Sequence, residues 1–183
     1  MSLIDDGFCS RQCTGFCCSS YVVLITSEDA IRILENTNLH PYDFLEIYEG
    51  SVEKMGFYPI IKIMNQDAVL GIKYRPETTT CYFHDEKTGL CTIHEFKPMV
   101  CATYPFSMDW EENLYHLKDI LCPQKWWPES EEMKEVFKKS IRKSWEEGEI
   151  YKQKAKTWNE QHPDGTFGIF LKHIGIKYGK YQL

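Results

Sequence analysis

The chain has few of the features of a membrane or exported protein. None of its 183 residues lies in a run approaching the roughly 18 uninterrupted apolar positions of a spanning helix, so no membrane segment is expected. The opening "MSLIDDGF" has neither a basic start nor an apolar core, so it is not expected to be a secretory leader. A reducing, cytoplasmic setting follows as the expectation. Low-complexity runs are absent, as are a Gly-rich phosphate loop and a Gly-x-Gly-x-Gly cofactor loop. Positive charge is in deficit: 21 Lys and Arg against 27 Asp and Glu leave a net charge of −6, which thiolates would deepen. No nucleic-acid partner is expected on that balance. The one basic stretch, "KKSIRKSWEEGEIYKQKAK" (138–156), is interleaved with acids and reads as a solvated helix face. The knuckle Cys-x2-Cys occurs nowhere.

Cysteine itself is abundant. Eight are present, and four of them crowd into "CSRQCTGFCC" (9–18) as Cys9, Cys13, Cys17 and Cys18. The others, Cys81, Cys91, Cys101 and Cys122, are spread along the chain. A disulfide framework fits poorly, because a chain of this length does not need one and the expected compartment is reducing. Adjacent Cys17 and Cys18 would also strain a disulfide between them. Burial as small hydrophobes explains an isolated thiol, but not four among Ser, Arg, Gln, Thr and Gly. Metal binding remains.

The spacing constrains how a metal could be held. A regular helix would spread Cys9, Cys13 and Cys17 over about 12 Å of axial rise. Tetrahedral zinc needs its sulfurs within roughly 4 Å of one another. If all three serve one centre, the segment is therefore a loop, and Gly15 is placed to permit it. Long gaps between the later cysteines mean that the fold must assemble them, as it does for many iron–sulfur ligands. Cys122-Pro123 also resembles the Cys-Pro ending of some ferredoxin motifs. These points favour an iron–sulfur cluster over zinc. His84 and His94 each follow a cysteine by three positions; they are expected beside the ligands rather than among them, since eight thiols suffice. Radical S-adenosylmethionine chemistry is excluded by spacing, because Cys-x3-Cys-x2 from Cys9 ends at Phe16. No cysteine–histidine pair stands out as a nucleophile and its base.

Local patterns point to a small α+β fold with short antiparallel strands and a C-terminal helical segment. "SYVVLI" (20–25) is an apolar, β-rich run, and Thr26 with Asp29 forms a capping-box pattern opening a helix. "HPYDFLEIYEG" (40–50) reads as a helix from Pro41 to Gly50. "GFYPIIKIM", "NQD" and "AVLGIKYR" (56–75) read as a hairpin, "TTCYFH" (79–84) as a further strand, and "NLYHLKD" (113–119) as an edge strand. From Ser130 a helical period runs through Trp158, "HPDG" breaks it, and "TFGIFLKHI" forms a final short helix. With no repeat and no linker, residues 1–183 are expected to form a single domain. Residues 9–123 would be its cysteine-rich metal-binding part. Residues 129–183, without cysteine, would form a helical part that covers the rest or meets a protein partner.

With the cysteines laid out, the chain resembles the CxxCxxCC (YkgJ-type) zinc- or iron-chelating domain family. Members open with a cysteine cluster ending in Cys-Cys, then a β segment and a helix that starts with Thr or Ser and acids, like "YVVLITSEDAIRIL". "CYFHDEKTGLCTIHEFKPMVCATYPF" (81–106) is similar to the family's Cys-turn-Cys, Arg-Pro, Cys and Tyr-Pro-Phe arrangement, and Cys122 to a further cysteine. The likeness covers roughly residues 9–123. Each gap in the first cluster is one residue longer than the family pattern, and Lys97 replaces the usual Arg, keeping the charge without its fork. The resemblance implies a metal site and no reaction. Some members carry a flagellin lysine methylase label, yet this chain has no methyl-donor loop.

The expectation is a metal-binding protein in which Cys9, Cys13, Cys17, Cys18, Cys81, Cys91, Cys101 and Cys122 hold an iron–sulfur cluster or zinc. Its role would be electron transfer or cluster handling, or alternatively that of a structural zinc adaptor. An enzyme such as a methylase stays open as the less favoured alternative, because eight thiols could fill two four-ligand sites completely.

Overall fold

The computed structural model describes residues 15–50, 58–118, 120–121 and 126–177. In chain order its elements begin with helices α1 (Phe16–Ser20), α2 (Ser27–Asn36) and α3 (Pro41–Phe44), then strands β1 (Leu45–Glu49), β2 (Ile61–Ile63) and β3 (Gln66–Ile72). Strands β4 (His84–Asp85) and β5 (Leu90–Cys91), a 3-10 turn (His94–Phe96) and helix α4 (Met99–Thr103) follow. Strands β6 (Phe106–Met108) and β7 (Leu114–His116) precede helices α5 (Glu131–Gln161) and α6 (Phe167–His173). Helices and short antiparallel strands make this an α+β fold, as the patterns predict. The chain divides into two compact units, one from residues 1–23 and 74–145, the other from 24–73 and 146–183. The segments of the second unit contain no cysteine.

The second unit is organised around β3, which pairs with β1 on one side and β2 on the other. Ala68 through Ile72 are all buried, so this strand reads as a continuous apolar run rather than an alternation. The expected hairpin is present, with Ile63 opposite Gln66 and a turn at Met64–Asn65. Both turn residues have positive φ, 52° and 65°, as a turn matching the strand twist requires. Residues 56 and 57 of the expected hairpin lie outside the described residues.

The helix expected over 40–50 begins at Pro41 but stops at Phe44. Leu45–Glu49 instead becomes β1, in register with Ile72 back to Ala68. The open edge of β3 offers this segment backbone partners that a short helix could not match. Leu45 is fully buried in the bargain, and Tyr48 donates its hydroxyl proton to the Ile72 carbonyl at 2.8 Å.

At α2 the capping box forms as the sequence predicts. Asp29 N–H donates to Thr26 Oγ1 at 3.1 Å, and Thr26 N–H donates to Asp29 Oδ2 at 3.0 Å. Arg32 then bridges Asp29 and Glu147 of α5. In the apolar run before α2, Leu24 bridges Gly71 and Ile25 N–H donates to the Leu70 carbonyl at 3.2 Å. Trp158 of α5 is fully buried. Its Nε1–H donates to the Lys62 carbonyl at 2.6 Å, while neighbouring Asn159 accepts from Lys62 N–H at 2.7 Å. Phe170 of α6 packs edge-on against Trp158 at 5.3 Å.

In the first unit the edge strand expected at 113–119 appears as β7, paired with β6; Asp119 lies outside the described residues. Phe106 and Met108 of β6 form a small core with Phe137 and Ile141 of α5, flanked by Leu114, Trp126 and Trp145. The strand expected over 79–84 is mostly turn. Cys81 makes one bridge with Tyr74, and only His84 belongs to a strand. Local bonds compete with a ladder there: Arg75 N–H donates to the Thr80 carbonyl at 2.8 Å, and Thr80 N–H to Thr78 Oγ1 at 3.1 Å.

Candidate metal centre

Three separate pieces of chain bring cysteines together in the first unit. Gly15, with φ of 69°, turns the chain into α1, which carries Cys17 and Cys18. Cys81 N–H donates to the Cys18 carbonyl at 2.7 Å, and Thr79 Oγ1 donates to the Ser19 carbonyl at 3.3 Å. These bonds dock α1, with Cys17 and Cys18, onto the segment that holds Cys81. A tight turn follows, in which Asp85 accepts from Lys87 N–H at 3.0 Å and from Thr88 Oγ1 at 2.8 Å. That turn returns the chain so that Cys91 pairs with His84 across β4 and β5. Pro98 then starts α4, where Cys101 N–H donates to the Pro98 carbonyl at 2.9 Å.

The five described cysteines carry thiols rather than disulfides, and they feel one another. Burial pushes the Cys81 thiol up to about 11, and Cys91 and Cys17 push in the same direction. Burial also raises Cys91, with Cys17 adding and Lys97 opposing. Cys101 is held well above its ordinary value by burial first, then by Cys81, Cys17 and Cys91, again with Lys97 opposing. Cys18 is raised by its hydrogen bond with Cys17, by burial, and by the charges of Cys17, Cys101 and Cys81. Thiols this close cannot all ionise in a dry space unless a cation compensates them. Lys97 supplies part of that charge: it is buried, and its Nζ lies 3.2 Å from His94 Nε2.

Of the eight cysteines expected as ligands, Cys17, Cys18, Cys81, Cys91 and Cys101 are thus gathered in one unit. Cys9, Cys13 and Cys122 lie outside the described residues. Among the described residues, no group of three or more His, Cys, Asp or Glu side chains is arranged to hold an ion. His84, expected beside the ligands, lies in the same unit as these cysteines. Both its ring nitrogens are buried and meet no hydrogen-bond partner among the described residues. The signal available was its spacing of three from Cys81, which the turn converts into a position directly across from Cys91.

The CxxCxxCC family model, described as a putative zinc- or iron-chelating domain, matches residues 8–136. The chain belongs to this family. No curated protein and no solved structure matches it. The CxxCxxCC match takes in all eight cysteines and ends inside the first turns of α5. The donor chemistry fits the family's description, since soft thiolates suit both zinc and iron–sulfur centres. No helix among the described residues is long and apolar enough to cross a membrane.

Proposed function

We propose that this CxxCxxCC protein holds an iron–sulfur cluster through its cysteines and serves in electron transfer or cluster handling. Cys17, Cys18, Cys81, Cys91 and Cys101 would act as ligands together with Cys9, Cys13 and Cys122, which have to complete what no described trio provides. The observation that carries the reading is the bond from Cys81 N–H to the Cys18 carbonyl at 2.7 Å, which joins two cysteine groups more than sixty positions apart. A bound cluster would supply one-electron chemistry. The chain's own part is to enclose the thiols, to keep them from oxidising in pairs, and to offset their charge. Lys97 does the last of these, acting on both Cys91 and Cys101.

Purification without oxygen, with an absorption spectrum and counts of iron, zinc and acid-labile sulfide, tests the proposal. Iron and sulfide in near-equal amounts with a broad visible band would support it. A colourless protein with stoichiometric zinc would replace it by a structural zinc role. Cys101→Ser should lower metal content and the unfolding midpoint together. Full metal content and an unchanged midpoint in that variant would remove Cys101 from the ligand set.

A further inference from the structure

The histidines of this chain provide their own standard of comparison. His116 Nε2 bonds the Trp126 carbonyl at 2.8 Å, and His173 Nε2 bonds the Lys154 carbonyl at 2.9 Å. His40 Nδ1 accepts from Tyr42 N–H at 3.3 Å. Each is satisfied in the ordinary way of a structural imidazole. His84 is not: Nδ1 and Nε2 are both buried, and neither has a hydrogen-bond partner among the described residues. A neutral imidazole has one donor and one acceptor, and enclosing both without partners is unfavourable. An ion held by the ring is one arrangement that would satisfy such a group.

Its neighbours identify the ligand's chemistry. His84 pairs with Cys91 across β4 and β5, and directly opposed residues on an antiparallel ladder extend to the same face. His84 N–H donates to the Cys81 carbonyl at 3.0 Å. On a third side lies the turn that begins the Cys17–Cys18 helix. A Cβ at Gly15 would stand 2.5 Å from His84 Nε2 and 2.9 Å from Cδ2, so the turn closes on the ring only because residue 15 has no side chain. His84 is therefore tied by its backbone to the Cys81 and Cys91 segments, while the turn before Cys17 lies against its ring.

We infer that His84 is a nitrogen ligand of the metal centre, giving this CxxCxxCC protein a mixed thiolate–imidazole site. The inference rests on the metal-binding reading above. Imidazole suits zinc and iron alike, and histidine in place of cysteine at an iron–sulfur centre raises its potential. A buried nitrogen lone pair aimed at a cation would remove one of the two unmet needs of the ring.

The test loads the full chain, stripped of metal under anaerobic conditions, with cobalt(II) alone and reads X-ray absorption at the cobalt edge. Wild type should show sulfur in the inner shell together with the outer-shell scattering of an imidazole. His84→Cys, which keeps a ligand at the position, should retain cobalt with a sulfur-only pattern. His84→Ala should lose the imidazole signature and bind cobalt at least tenfold more weakly. Sulfur-only scattering in wild type, or imidazole scattering that persists in His84→Cys, overturns the inference while leaving thiolate binding intact. A wild-type chain that takes up no cobalt overturns both this inference and the metal-binding reading. Should His84→Ala fail to fold, the wild-type and His84→Cys spectra still decide.

Discussion

Gly15 and Cys81 show how single residues shape the cysteine-rich unit. Gly15 holds a φ of 69° and lies against His84, so Gly15→Ala meets two penalties. The left-handed backbone alone costs an L residue roughly 1–2 kcal/mol, and the new methyl group must displace the imidazole. A double-mutant cycle with His84→Ala separates them: the combined loss in urea unfolding should be smaller than the sum of the single losses. Strict additivity would mean that the ring moves aside freely. Cys81 makes a pH prediction. Burial lifts its thiol to about 11, above the value of about 8.5 that an unfolded chain gives it. The native state of the metal-free protein then binds this proton more tightly than the unfolded state does. Stability is full below the unfolded value and falls as pH climbs towards the native one. The thermal midpoint of metal-free protein should drop over that window, and Cys81→Ala should flatten the fall; an unchanged slope would place the dependence on other groups.

Among the elements, α2 has a complete local code. Thr26 and Asp29 form reciprocal bonds, and both are buried. Thr26→Ala should therefore lower stability by about 1–2 kcal/mol, measured by denaturant unfolding, since it removes a cap of the kind that contributes that much. A loss below a few tenths of a kcal/mol would mean that Arg32, with Asp29 and Glu147, holds the helix start by itself. Other elements were less legible. "LEIYE" follows a proline that starts a helix properly, yet it pairs with β3, because the preference of a short segment yields to an available strand edge. "TTCYFH" has strand-like residues, but the Thr78 hydroxyl just before it accepts from Thr80 N–H where the chain turns. The β2–β3 hairpin was read correctly in outline and misplaced at its turn. Met64 and Asn65 take the positive φ angles, and methionine gives no hint of that.

For the molecule as a whole, cysteine distribution and unit division coincide, which makes metal removal informative. The segments 24–73 and 146–183 contain no cysteine. Chelation should therefore raise hydrogen exchange at residues such as Cys81, Thr92 and Cys101, whose amides bond near the thiols. The β1–β3 sheet and the surroundings of Trp158 should keep their protection. Equal loosening in both sets would mean that the metal stabilises the entire chain rather than one unit. The sequence by itself determined the family, its eight cysteines, the α+β class and the long helix from residue 131. Each of these depends on residue type, short spacing or a helical period. Only the tertiary structure decided that Cys18 meets Cys81, that residue 15 must be glycine beside His84, and that His84 lies across from Cys91. Those contacts join positions far apart in the chain or on opposite sides of a turn, and hydrophobic periodicity carries no record of which distant backbone groups will bond.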